Sequence, residues 1–275
     1  MAHILIPTDF SANAFNAAAY AIELYGSAGN TFTLLHAYMS ISDPTILQAA
    51  GLEAEIMREA DSALTDLAEQ LREKFAGVDL DLQQSMMTGD VFSAILAHAD
   101  EEQNPDLVVM GTQGASGLEE VLLGTHTADV IKRCHLPVLT IPEEAKYRTP
   151  RRIVMADDGG PVDRASIKAL VDIARWSQSE IMIVRVFQKE GASNTDDHDS
   201  PYDVVLGAIP HSFHSISGEN VSKALHDMAD QSDADLVVVM HRQRSMFAQL
   251  FHRSTAAKLA MHTHIPMLVL QQGTN

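Results

Sequence analysis

Short apolar runs alternate with helical periodicities through the first half of the chain. "HILIP" (3–7), "FTLLHA" (32–37), "LDLQQSM" (80–86), "DLVVM" (106–110) and "PVLTI" (137–141) have the length and content of strands. Between them, "SANAFNAAAYAIELYG", a longer stretch from about 52 to 76 and "DVFSAILAHADEE" have the spacing of helices. In the longest, Ile56, Ala60, Leu64, Leu67, Leu71 and Phe75 fall on one apolar stripe. Strands that alternate with helices need crossover connections, which predicts a parallel sheet in an α/β layered domain. Five strands and about four helices fit within roughly 145 residues.

The second half repeats the first. At a constant offset of 149, "IVMADDGG" (153–160) lies under "ILIPTDFS", pairing Asp158 with Asp9, and "IVRVF" lies under "LLHAY". Twenty residues are then missing, in the region of the long helix. From Gly218 the offset becomes 129 and stays there, matching "DADLVVV" to "NPDLVVM" and "HIPMLVL" to "HLPVLTI". A repeat in register at strand ends, helix starts and the closing proline means two copies of one domain. The expected domains are 1–145 and 151–275, joined through the polar "EEAKYRTPRR" (143–152). The second lacks most of one helix.

Composition narrows the setting. No window approaches 18 uninterrupted apolar residues, so no membrane span is expected. The N-terminus enters a strand pattern directly and does not read as a signal peptide. The single cysteine, Cys134, cannot form an internal disulfide and fits a reducing, cytoplasmic compartment. With 37 acidic against 19 basic residues, the formal charge is −18. That argues against nucleic acid and against anionic membrane surfaces as partners. A phosphate ligand would have to be held locally, by backbone N–H groups, a metal ion or both.

Such a place exists at the end of the fourth strand, where "MGTQGASGLEEVLLGTH" (110–126) has among its glycines those at 111, 114 and 124. A glycine after a parallel strand lets a ligand or another backbone come close. Thr125 stands just ahead of a helix pattern, which predicts a hydroxyl N-cap and outward-pointing N–H groups. A helix start of this kind attracts phosphate through those donors and the positive end of its dipole. In open parallel sheets, ligands sit beyond the carboxyl ends of strands where the strand order reverses. "PTD" (7–9) ends the first strand, and Asp9 would accept hydrogen bonds from a base or ribose if the first and fourth strands are neighbours.

The spacing G-x2-G-x9-G-T, with "ILIPTDFSANA", "LLHA" and "HLPVLTI", resembles the universal stress protein family in its tandem form, over both halves. The first half resembles the nucleotide-binding branch. The resemblance implies two five-stranded parallel sheets of order 3-2-1-4-5, flanked by helices. It also implies that Pro7, Asp9 and Ala37 flank adenine, that Thr8 belongs to the same nucleotide site, and that Met110, Gly111, Gln113, Gly114, Gly124, Thr125 and His126 surround ribose and phosphates. ATP, ADP or AMP would be the ligand, with or without Mg²⁺. It further implies that the fifth strands, "PVLTI" and "PMLVL", pair to make an intramolecular pseudo-dimer, which leaves a further homodimer open.

The second half departs from the binding loop. Met240, Gln243 and Arg253 stand at the positions of Gly111, Gly114 and Gly124, and only the hydroxyl of Thr125 survives, as Ser254. No nucleotide is expected there, and Asp158 reads as a turn cap. "TDDHDSPYDVVLGAIPHSFH" (195–214) reads as a solvated acidic loop rather than a metal site, although His198, His211 and His214 lie among aspartates. "HRQRSMFAQLFHR" (241–253) would bind an anion or partner, or offset nearby acids. Neither a G-x-S-x-G elbow nor a P-loop is present, and no lysine lies between 111 and 125. No catalytic residue is assigned and turnover is at most slow ATP hydrolysis; a ligand-free interaction scaffold is the other alternative.

Overall fold

A computed structural model describes residues 1–39, 52–100, 104–112, 124–187, 201–218, 221–242 and 264–272. Ten strands among these residues form one sheet. In chain order they are β1 (His3–Pro7), β2 (Thr31–Tyr38), β3 (Asp81–Thr88), β4 (Leu107–Gly111), β5 (Val138–Ile141), β6 (Arg152–Asp157), β7 (Glu180–Phe187), β8 (His211–Ser217), β9 (Leu236–His241) and β10 (Met267–Gln271). Their spatial order is β3-β2-β1-β4-β5-β10-β9-β6-β7-β8. Each half is therefore a parallel sheet of order 3-2-1-4-5. The halves meet where β5 and β10 run antiparallel, with Leu139 opposite Leu268.

The repeat holds residue by residue in the ladders. Ile4 faces Leu107 as Ile153 faces Leu236, and Phe32 faces Leu82 as Ile181 faces His211. β8 is a correction to the sequence reading, because the offset of 129 already applies at His211 and not only from Gly218. "HSFHSIS" is polar and half exposed because it is the outer strand of the sheet, so it lacks an apolar signature. A short helix precedes it at Pro201–Leu206. The segment 195–214 is thus not a loop throughout; its residues 195–200 lie outside those described. Tyr202 and Leu206 of the short helix are buried, partly replacing the 23-residue helix of the first half.

Helices cover both faces. On one lie α1 (Ala12–Tyr25), α2 (Leu52–Lys74), α5 (Lys168–Ser177) and α6 (Pro201–Leu206). On the other lie α3 (Val91–His98), α4 (Thr125–Arg133) and α7 (Val221–Gln231). Successive strand residues point to opposite faces. Ile4 and Ile6 therefore enter the α1 layer and Leu5 the α3 layer. The apolar stripe of α2 is oriented as its period predicts, with Ala60, Leu64, Leu67 and Leu71 buried. Ser11 caps α1 by accepting the Ala14 N–H at 3.1 Å, and Gly26 ends it at a φ of 65°. No helix among the described residues is long and apolar enough to cross a membrane.

Candidate functional site

Three parallel strands bring the predicted residues to one edge. Pro7 closes β1 opposite Leu35 of β2, and β4 flanks β1 on its other side. Thr8 donates its N–H to Leu35 O at 2.9 Å, so the turn after β1 stays attached to β2. Side chains then shape that turn. Thr8 Oγ1 accepts the Phe10 N–H at 3.0 Å and Asp9 Oδ1 accepts the Ser11 N–H at 3.1 Å. These local bonds hold Phe10 at a φ of 64°, uncommon for a bulky residue. His36 stacks on Phe10 with ring centroids 4.4 Å apart and places Nδ1 2.9 Å from Thr8 O. His36 is half-buried and supports the turn. The second half puts Gly159 at the matched position, at a φ of 76°.

Met110 and Ala37 lie in the apolar cluster on the α3 face. Gly111 faces the opposite layer and the start of α1. A Cβ there would lie 2.7 Å from Cγ and Nδ2 of the buried Asn13. The glycine is thus required by Asn13 in addition to any ligand. The pair changes together in the repeat, since Met240 and Val162 occupy the matched positions on the same apolar face.

The start of α4 is tied to the end of β4. Gly124 donates its N–H to Thr112 O at 2.6 Å, and the Thr127 hydroxyl donates to Gly111 O at 2.9 Å. The N-cap is Gly124, and no side chain caps the helix. This corrects the expected hydroxyl cap: Thr125 is the first helical residue and is exposed, as is His126. Glycine is an acceptable N-cap. Among the described residues no side chain then caps the first-turn N–H groups, which lie at the positive end of the helix dipole. That arrangement suits an anion.

Pro7, Thr8, Asp9, Ala37, Met110, Gly111, Gly124, Thr125 and His126 are thus on strand ends and a helix start that adjoin one another. Gln113 and Gly114 lie outside the described residues, as do Gln243, Arg253 and Ser254. Asn13 and Thr127 escaped the sequence reading. Their signal was burial of a polar side chain on a helix, at 3% and 4% exposure, which a sequence does not display.

The matched edge of the second half is built differently. Asp158 caps a turn through the Gly160 N–H at 3.1 Å, as expected. It also pairs with Arg242, the member of the basic 241–253 stretch that offsets acid here; residues 243–253 are outside the described set. His211 bonds Asp203 at 2.8 Å and His214 lies 2.9 Å from Ser212 Oγ. Among the described residues no three His, Cys, Asp or Glu side chains form a metal-binding group.

A sequence model described as the universal stress protein family matches residues 1–142 and 204–271. Universal stress protein MJ0531 of Methanocaldococcus jannaschii is 30% identical over 146 residues, covering 52% of this chain and 83% of that protein. Universal stress protein MJ0577 of the same organism is 27% identical over 150 residues, covering 50% and 93%. The crystal structure of a universal stress protein from Archaeoglobus fulgidus superposes with a TM-score of 0.68 at 19% identity, covering 99% of this chain and 97% of that one. At that identity the likeness speaks to the fold over the full length.

Proposed function

The chain belongs to the universal stress protein family, and from that membership we propose that its first domain, residues 1–145, binds ATP or a related adenine nucleotide as a sensing ligand. The observation that carries the reading is the complete G-x2-G-x9-G-T pattern, with Gly111 and Gly124 placed where β1 and β4 end side by side. Asp9 and the carbonyl edge near Ala37 would receive the base and ribose. The first-turn N–H groups of α4 and the stretch through Gln113 and Gly114 would receive phosphates, with or without Mg²⁺. Such donors read phosphate and not its number, so ADP and AMP fit the same frame.

The second domain, residues 151–275, takes a structural or regulatory role without nucleotide. Binding at the 111–125 stretch would alter a surface read by a protein partner, in the cytoplasm. Turnover is no part of the reading, because phosphoryl transfer relies on cations at the phosphates and the 111–125 loop supplies no lysine.

The test is calorimetric titration of Mg-ATP into the wild type and into Gly124→Arg, which copies the second half's own residue. One site per chain, lost in the variant, is the expected result. At 100-fold excess over Kd a bound ligand adds about 2.7 kcal/mol of stability, so the melting temperature rises in parallel. Absence of heat together with an unshifted melting curve would reject the reading and leave an interaction scaffold.

A further inference from the structure

The carboxyl ends of β6, β7 and β9 hold a charge cluster that the nucleotide reading leaves unused. We propose that the second crevice is a guanidinium-binding site, which the chain fills with its own Arg242. This inference concerns the second half alone and does not depend on a nucleotide in the first.

Arg242 is the first residue after β9, at the position matched to Gln113 by the offset of 129. Its side chain is 8% exposed, and its partner Asp158, matched to Asp9, is 6% exposed. Nη1 pairs with the Asp158 carboxylate, while Nη2 donates to Pro161 O at 2.6 Å. A buried ion pair persists only where geometry and further hydrogen bonds compensate lost hydration. The planar guanidinium holds Nη1 at the carboxylate and Nη2 at the carbonyl in fixed relative positions, while Nε finds no hydrogen-bond partner among the described residues.

The neighbouring chain is shaped around that group. A Cβ at Gly160 would overlap the guanidinium, and the first half has Ser11 at this position. The Gly159 and Gly160 N–H groups bond Asp157 Oδ1 and Asp158 Oδ1, which orients both carboxylates. Asp157 is engaged separately. Its Oδ2 accepts Arg185 Nε at 2.8 Å, and its Oδ1 accepts the Tyr202 hydroxyl at 3.1 Å. That division leaves Asp158 to Arg242.

The helix start has shifted to make room. α1 begins at Ala12, whose matched residue is Pro161, yet α5 begins only at Lys168. The Pro161 carbonyl, at the start of the chain that leads into α5, accepts from the guanidinium. Burial pushes the Arg242 pKa down and the Asp157 carboxylate opposes that shift. The crevice therefore carries its ligand permanently, where the first half presents an uncapped helix and glycines.

The test removes the guanidinium and returns it from solution. Arg242→Ala is melted in the full chain with guanidinium or methylguanidinium chloride at low millimolar concentrations, with sodium chloride and urea as controls. The expected result is a Tm lower by at least about 6 °C, restored saturably by the guanidinium salts alone. Hydrogen exchange at 158–166 should quicken in the variant and slow again on rescue. Arg242→Ala/Asp158→Asn should lose the rescue. An unchanged Tm in Arg242→Ala, equal rescue by sodium chloride, or rescue that survives the loss of Asp158 would overturn the assignment. If Arg242→Ala does not fold, Arg242→Gln and Arg242→Lys take its place. Both should melt below the wild type and the glutamine variant should be rescued. A lysine variant as stable as wild type, or a glutamine variant without rescue, would overturn it equally.

Discussion

Gly111 has two physical reasons to be glycine, and one pair of substitutions separates them. In Gly111→Met the new Cβ would lie 2.7 Å from Asn13 Cγ and Nδ2 and 3.0 Å from Oδ1. Ordinary contacts between such atoms lie at about 3.5–4.0 Å, so the overlap is close to an ångström. Asn13 is buried and cannot swing into solvent to relieve it. Overpacking of this kind costs about 1–3 kcal/mol. In a chain of this length that is a fall of roughly 2–6 °C in Tm. Asn13→Val also destabilises alone, by removing a buried polar group from its partners. The double variant copies Met240 and Val162, a pairing that the same fold tolerates 129 and 149 residues later. It should therefore be more stable than the sum of the singles, by a coupling of about 0.5–3 kcal/mol. Denaturant unfolding of the four proteins without nucleotide measures that cycle. Additivity within about 0.5 kcal/mol would refute the claim that Asn13 imposes the glycine. Titration of Mg-ATP into the double variant then isolates the second reason. Recovered stability with no recovered binding is expected, and recovered binding would remove the phosphate from the account of this glycine.

Two further outcomes follow from particular bonds. Asn16 donates Nδ2 to Ala145 O at 2.9 Å and lies 3.3 and 3.4 Å from Pro142 O and Glu143 O, so α1 anchors the linker between the halves. Asn16→Ala should cost about 1 kcal/mol and quicken hydrogen exchange at 142–147; unchanged exchange would assign the anchoring to the Tyr20–Tyr147 ring contact instead. Asp90 caps α3, and the Ser93 N–H bond, helped by the Ser93 hydroxyl and the Arg133 charge, holds its carboxyl below the usual carboxylate range. A depressed folded pKa gives stability that is present above the unfolded value of about 3.9 and lost as pH falls through the folded value. Asp90→Asn keeps the cap acceptor and should show a shallower loss of Tm between about pH 4 and the acid limit; an identical acid slope would sink this assignment.

How much of this was legible depends on the range of the interaction. The α2 stripe and the strand runs are local, and periodicity announces them. The repeat was legible because two copies share one offset at every strand end. β8 was missed because an outer strand needs no apolar face, so "HSFHSIS" carries no strand signal. Thr125 was misplaced by one residue because glycine and threonine both serve as caps, and the hydroxyl that ties α4 to β4 belongs to Thr127.

The sequence by itself determined the layered α/β class, the duplication, the glycine pattern of one half and its loss from the other. Each rests on spacing along the chain, which burial on a sheet or helix imposes directly. Tertiary structure decided why the matched positions differ. Asn13 meets Gly111 from a helix 98 residues away in the chain, and Arg242 meets Asp158 across 84 residues. Such pairs form because strand order brings β1 beside β4 and β6 beside β9. Close packing then fills the Gly111–Asn13 position with Met240 and Val162 in the second half, where Arg242 and Asp158 stand in turn at the positions of Gln113 and Asp9.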